Sequence, residues 1–264
     1  PSQTRIPGAF DTSIIPTGAP RFIFTPSVTL AVQWTDNFFL ENRGRTENFR
    51  TSLAVGLALL MNLPNTQGSL STSLAATYDT APDTENYNFF PTFHALVNHT
   101  FTPRLSLVIS EDFRRDDDPL FADPNGLRRN RETFIINTLS ISLNWLVDIF
   151  QTQLYYRNIL FISDSGDSVN HIIGGNLSMP VGALNTLTGG YEFTFRDTSN
   201  DSDSFSNRVY GIFRRQIGTF TTAGLSSSFT WNHSNNNSQI FNISVIGSHG
   251  LPSGLSVSGS VGYG

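Results

Sequence analysis

The sequence predicts an all-β fold, a single antiparallel transmembrane β-barrel of about 14 strands, with 12 or 16 as the other even counts that would close. Three observations predict it. Runs of alternating apolar and polar residues recur from Arg21 to Gly264. The connections between runs are by turns short and long. Aromatic residues stand at both ends of the runs, on the parity of each run's apolar side. A strand sends successive side chains to opposite faces, so alternation gives each strand one oily and one polar wall.

The expected strands cover residues 27–39, 48–63, 69–80, 88–101, 104–115, 131–145, 148–162, 168–179, 184–196, 204–217, 219–232, 239–249 and 255–263. The second is the cleanest. Phe49, Thr51, Leu53, Val55, Leu57, Leu59, Met61 and Leu63 share one parity; Arg50, Ser52, Ala54, Gly56, Ala58 and Asn62 share the other, with Leu60 the exception. On the same pattern Leu105, Leu107, Leu139, Ile141 and Leu143 should face lipid, and Ser106, Ser140 and Ser142 the interior. The strands are bounded in order by a polar loop at 40–47, the turn Pro64 to Gly68, a loop at 81–87, the turn Thr102-Pro103 and a long acidic loop at 116–130. Then come Leu146-Val147, a loop at 163–167, the turn Pro180 to Ala183, a loop at 197–203, Gly218, a loop at 233–238 and the turn Gly250 to Gly254. Gly, Pro and Asn supply the geometry of the short set. Strict alternation of lengths puts all long loops at one end, as in outer-membrane barrels with short periplasmic turns and longer external loops. Residues 1–20, rich in Pro, Gly and Thr, read as an extended arm or plug, and 21–264 as the barrel.

The strand ends carry the membrane signature. Phe38, Phe49, Tyr78, Phe89, Phe113, Phe195, Phe205 and Trp231 flank the long loops; Phe101, Trp145 and Phe150 flank the short turns. They read as two girdles at the headgroup levels, where large amphipathic rings are favoured. From Phe89 to Phe101 at about 3.3 Å per residue and a tilt of about 40° the wall is roughly 30 Å high, enough for an apolar band of about 25 Å and its girdles. A soluble sandwich would place its aromatics mid-strand, and a propeller blade would use four short strands rather than two long ones.

Composition narrows the function. The 264 residues contain no cysteine, which excludes disulfides and thiolate metal sites. All 16 basic residues are arginine, and the net charge of -5 speaks against a nucleic-acid partner. The hydrophobic share of 38% is low for a large soluble core and suits a wall with one wet side.

Some residues point to a family. Pro26-Ser27-Val28-Thr29-Leu30, followed by Trp34-Thr35-Asp36-Asn37-Phe38-Phe39-Leu40, resembles the first strand and first loop of outer-membrane porins of the β-barrel porin 2 type. Phe101-Thr102-Pro103-Arg104-Leu105-Ser106-Leu107 is similar to that family's periplasmic turn. The resemblance implies a bacterial outer-membrane channel or an export-associated barrel, with no catalytic residues to carry over. The chain departs from outer-membrane barrels in ending Val261-Gly262-Tyr263-Gly264 rather than on an aromatic, and in an odd strand count. Phe24-Thr25-Pro26-Ser27 is similar to Phe101-Thr102-Pro103-Arg104, so a turn there, with a strand ending at Arg21–Phe24, would make the count even.

No enzyme is expected. There is no Asp-x-His for a barrel protease, and His233 precedes Ser234 directly, the wrong spacing for a base and nucleophile on one face. Asp116, Asp117, Asp118, Asp123, Asn125 and Gly126 offer calcium-type oxygens without EF-hand spacing, and read instead as a solvated loop that pairs with Arg128, Arg129 and Arg131. No cofactor, metal or glycan is expected. By parity Arg50, Arg104, Arg114, Arg157, Arg196, Arg208 and Arg214 line the lumen, with Asp79, Asp112 and Glu192. Glu111, Arg115 and Arg215 fall on the lipid parity; the arginines can snorkel from strand ends, whereas Glu111 needs a rim position, a protein neighbour or a slipped register. The expected function is passive diffusion of small hydrophilic solutes, with a mild anion preference. The alternative is a plugged structural or assembly barrel for a surface layer, polysaccharide export or an array. The expected partners are outer-membrane lipid and a second copy of the chain or another envelope protein.

Overall fold

A computed structural model describes residues 21–38, 46–82, 86–118, 132–199, 202–234 and 237–250, and the backbone pairing of 256–263. The expected arm at 1–20 and the residues Asp123, Asn125, Gly126, Arg128, Arg129 and Arg131 lie outside them. The described residues form thirteen strands: β1 (Arg21–Thr35), β2 (Asn48–Asn62), β3 (Thr66–Asp79), β4 (Tyr87–Thr102), β5 (Leu105–Asp116), β6 (Phe134–Val147), β7 (Phe150–Ser163), β8 (Ser168–Val181), β9 (Asn185–Thr198), β10 (Ser204–Gly218), β11 (Thr221–His233), β12 (Ser238–Gly250) and β13 (Ser256–Tyr263). They make one antiparallel sheet in sequence order, each strand beside the next. β1 and β13 each have one neighbour among the described residues, so the thirteen described strands form an open sheet whose closure into a ring of 14 is not shown.

A sequential meander sends its odd and even connections to opposite ends. The connections after β1, β3, β5, β7, β9 and β11 share one end, and these are the longer set. The connections after β2, β4, β6, β8 and β10 are tight turns of two or three residues. In one of them, Asp148-Ile149, Asp148 takes the left-handed region at φ 54, which Asp tolerates better than most residues. β6 therefore runs through Leu146 and Val147, which the sequence suggested as the turn.

The expected turn at Thr25-Pro26 does not form. β1 is continuous from Arg21, and Pro26 pairs with Leu57 of β2. An edge strand accepts proline because the side without a neighbour needs no N–H. Phe22, Phe24, Val28, Leu30, Val32 and Trp34 then keep one parity throughout, all strongly exposed.

The two faces of the sheet differ. On β2, Leu53, Val55 and Leu57 are exposed, Val55 at 56%, whereas Ser52, Ala54 and Gly56 between them are half-buried. Side chains also meet across non-adjacent strands on the Ser52 side: Asp117 beyond β5 reaches Arg50 of β2, and Tyr155 of β7 reaches Glu192 of β9. Both facts describe a curled sheet, concave on the small, polar face and convex on the apolar one. The convex face also carries Phe89, Ile109, Leu154, Ile173, Leu177, Phe229 and Val245 in the open. No helix among the described residues is long and apolar enough to cross a membrane. The convex strand face is the apolar surface that suits lipid.

That face has one polar interruption. Glu111 pairs in register with Ala95 and Leu139, so the register does not slip there. Its row continues through Asn158 to His171. His171 Nδ1 lies 2.9 Å from Tyr156 Oη and 3.3 Å from Asn158 Nδ2, and its ring stacks near those of Tyr156 and Phe195. Arg115 resolves as a rim residue, its guanidinium donating to the Phe89 carbonyl at 3.1 Å. Where lipid covers Glu111, Glu111→Leu should stabilise the protein by about 1–2 kcal/mol, since a carboxylate on a barrel's lipid face costs somewhat less than a mid-wall Arg or Lys. Urea unfolding in vesicles measures it; a loss of stability instead would mean that a protein, not lipid, covers this row.

Candidate functional site

The concave wall gathers most of the charged side chains that the described strands carry, and it divides into two unlike halves. On β2–β5, at the long-loop end, the charges are locked. Asp79 is 1% exposed and pairs in register with Arg50. Arg50 Nε and Nη2 donate to Asp79 Oδ1 and Oδ2, both at 2.8 Å; Nη1 and Nη2 donate to Asp117 Oδ1 and Oδ2 at 2.9 and 2.5 Å. Two bidentate carboxylates on one planar guanidinium is a strong, directional arrangement. Asn48 donates to Asp79 Oδ1 at 2.6 Å and accepts from the backbone N–H groups of Thr80 and Ala81 at 2.8 and 2.9 Å. The Arg50 guanidinium also lies over the rings of Phe38 and Phe90, at 5.6 and 5.7 Å. Phe38, Ala81, Phe90 and Phe134 are the buried apolar residues among those described. The molecule's small core thus sits inside the wall at the mouth, and seats parts of three long connections: Phe38, Ala81 and Asp117.

This corrects two expectations. Phe38 is not an outward girdle residue; it is 4% exposed and packs beneath Arg50, its N–H donating to the Thr46 carbonyl at 2.9 Å. Asp117 does not stand free in a solvated loop but neutralises Arg50. Arg50 and Asp79 therefore act as a closed unit with Asp117, and the unit carries a net negative charge. The remaining girdle residues Phe49, Tyr78, Phe89, Phe101, Trp145 and Phe205 are exposed, while Phe113, Phe150, Phe195 and Trp231 are half-exposed. Tyr78 and Tyr87 form a ring pair at 5.1 Å, and Phe205 stacks on His233 at 4.6 Å, both beside long connections.

His94 and Asp112, in register on β4 and β5, form an exposed pair at 2.5 Å. Arg114 lies two residues further along the same face, half-buried. Arg104 sits exposed at the short turn, its carbonyl accepting from Leu146 N–H.

The second half, β7–β10, holds open charge. Arg157, Arg196, Arg208 and Arg214 are exposed on the concave parity, against the single carboxylate Glu192. None of the four forms an ion pair among the described residues. Arg208 faces Glu192 in register and lies 5.5 Å over the Tyr210 ring. Tyr155 Oη donates to Glu192 Oε2 at 2.7 Å across β8, which is possible because Gly174 stands between them: a Cβ there would lie 2.4 Å from the Tyr155 ring. Gly190 makes the same room for Tyr210, again at 2.4 Å. Below them Asn176 donates to Gln153, and Gln153 to Ser142, each at 2.9 Å. This amide ledge borders an open cavity of about 530 Å³ that also touches Arg104, Asn144 and Ser178. The sequence reading missed Asn48, Tyr155 and Tyr210, and placed Asp117 in a solvated loop rather than on Arg50. The signal available for the tyrosines was inward parity opposite glycine.

No protein-family model matches the chain. No curated protein matches its sequence. Among solved structures, the siderophore receptor PirA from Pseudomonas aeruginosa is similar over 94% of this chain at 12% identity and a TM-score of 0.59; the chain spans 46% of that receptor. A loop-deletion mutant of OmpT, an outer membrane protein of Vibrio cholerae, is similar over 87% of this chain and 98% of its own length, at 10% identity and a TM-score of 0.49. An outer membrane channel from Pseudomonas putida F1 is similar over 89% of this chain and 96% of its own, at 11% identity and a TM-score of 0.40. The match to the receptor agrees with the sheet described above: an all-antiparallel meander with an apolar convex face and a polar concave one, the fold of outer-membrane β-barrel proteins.

Proposed function

We propose that this wall closes into an even-stranded barrel, 14 being the expected count, and serves as a passive outer-membrane channel for small hydrophilic solutes, of the β-barrel porin 2 type and without enzymatic activity. The observation that carries the reading is the concave half β7–β10, where four exposed arginines stand against one carboxylate and none forms an ion pair among the described residues. Arginine stays charged at any working pH. In a narrow aqueous pore with low-dielectric walls such charges act strongly on passing ions. The net acidity of the chain lies largely elsewhere, in the buried Arg50 unit, whose one excess negative charge sits away from β7–β10, and in the polar connections, where salt screens exposed charge. The long connections lie outside the cell in this reading and the tight turns in the periplasm. The partners are lipid along the convex face, and a second copy or another envelope protein where Glu111, Asn158 and His171 interrupt it.

Planar-bilayer recording of the purified protein tests the reading. Discrete conductance steps are expected, with a reversal potential in a salt gradient on the anion-selective side. R157S/R208S should shift that potential toward neutrality, because two of the open charges are gone. A cation preference in the unaltered protein would overturn the assignment of the arginines. Absence of any conductance would favour the structural alternative, which the inward seating of three connections around Arg50 supports.

A further inference from the structure

Tyr155 and Tyr210 lie flat on the concave wall, and their placement is more than packing. Tyr155 starts on β7 and crosses β8 above Gly174; Tyr210 starts on β10 and crosses β9 above Gly190. The two rings enter from opposite sides and occupy adjacent register rows, since Gly174 pairs with Glu192 and Asn176 with Gly190. Together they floor a strip of wall two strands wide, and both residues are half-exposed. Arg157, two residues from Tyr155 on the same face, bounds the strip on one side; Arg208, over Tyr210, bounds it on the other. Glu192 Oε1 has no partner from Tyr155, which takes Oε2. The Asn176–Gln153–Ser142 amide chain forms the lower border.

Each part selects a ligand feature. A flat aromatic floor favours the C–H face of a ring by dispersion and weak C–H to π contact. Guanidinium groups grip a carboxylate through parallel N–H bonds. A carboxylate and side-chain amides, each with spare acceptors or donors, suit hydroxyl groups. The net charge of the strip is positive, two arginines against one glutamate. We propose that Tyr155, Tyr210, Arg157, Arg208 and Glu192 form a binding strip for a sugar acid, a six-membered polyol ring bearing one carboxylate. This deepens the channel reading by giving it a solute class, and rests on that reading only for the strip's access to water.

The probe is D-glucuronate, compared with glucose, which has the ring without the charge, and acetate, which has the charge without the ring. Two measurements separate the site from the channel. Calorimetric titration of the detergent-solubilised protein needs no open pore; current block in bilayers needs both. Glucuronate should bind about tenfold more tightly than either comparison compound: the bidentate charged contact separates it from glucose, and the ring's contact with the tyrosine floor and its hydroxyl bonds separate it from acetate. R157S/R208S should reduce glucuronate to the level of glucose, and Y155A/Y210A should weaken it by a similar factor. Because the comparison of three compounds uses the unaltered protein, it stands even where a variant fails to fold. Glucuronate no better than glucose and acetate would overturn the site while leaving the channel intact. Selective calorimetric binding without conductance would uphold the site and overturn the channel.

Discussion

Asp79→Ala should destabilise the folded protein by about 3–5 kcal/mol, the usual cost of removing one partner from a buried ion pair. Asp79 is 1% exposed and holds three donors: Arg50 Nε, Arg50 Nη2 and Asn48 Nδ2. Its loss leaves a half-buried guanidinium with Asp117 alone, and an amide donor with no acceptor. Asn48 also holds the backbone of Thr80 and Ala81, so the cost extends to the connection after β3. Urea unfolding in vesicles, followed by the gel shift between folded and heated protein, measures the change. Asp112→Ala is the internal control. Its partner His94 and the carboxylate are both exposed, so the pair should contribute no more than about 1 kcal/mol. Equal losses at the two sites would refute the picture of a locked mouth and an open wall.

Gly224→Ala should cost about 3 kcal/mol, the upper end of the range for an added methyl group in a packed site. A Cβ at Gly224 would lie 2.2 Å from the Phe213 carbonyl oxygen and 3.1 Å from Arg214 Cα. Both are backbone atoms of the paired strand β10, so no side-chain rotation relieves the clash and the β10–β11 ladder must open locally. Gly189→Ala is the contrast. Its Cβ would meet only the Tyr210 carbonyl at 3.9 Å, ordinary contact. That substitution should be neutral or stabilising by up to about 1 kcal/mol, since alanine has less backbone freedom to lose than glycine. The same unfolding assay ranks the pair, and a larger loss at Gly189 would contradict the register of β9, β10 and β11.

The architecture was legible in the sequence because it is written in two local codes. Period-two alternation sets the faces, and turn chemistry sets the ends. Residues 48–63 needed nothing more, and the strand over Asn48–Asn62 follows. The codes failed where tertiary contact overrides them. Phe24-Thr25-Pro26 reads as a turn beside Phe101-Thr102-Pro103, yet only the second lies where the chain must reverse; the first sits opposite Leu57 on an edge that tolerates proline. Parity placed Arg50 and Asp79 on one wall but could not reveal that Asp117, 67 residues from Arg50, closes on them. Phe38 lies outside any strand, so no parity governs it. The tyrosine strip escaped because its signal is paired: Tyr155 means little until Gly174 is known to stand opposite.

The central claim is that each strand has one side in lipid and the other in water. Since the chain contains no cysteine, single-cysteine variants at each position from 51 to 58 give a clean scan of β2. Each thiol is labelled with a small fluorophore in vesicles and exposed in turn to a lipid-borne and a water-borne quencher. The account predicts a period of two: Leu53, Val55 and Leu57 quenched from the lipid, and Ser52, Ala54 and Gly56 from water. Uniform accessibility to the aqueous quencher along β2, or lipid quenching at Ser52, Ala54 and Gly56, would contradict it.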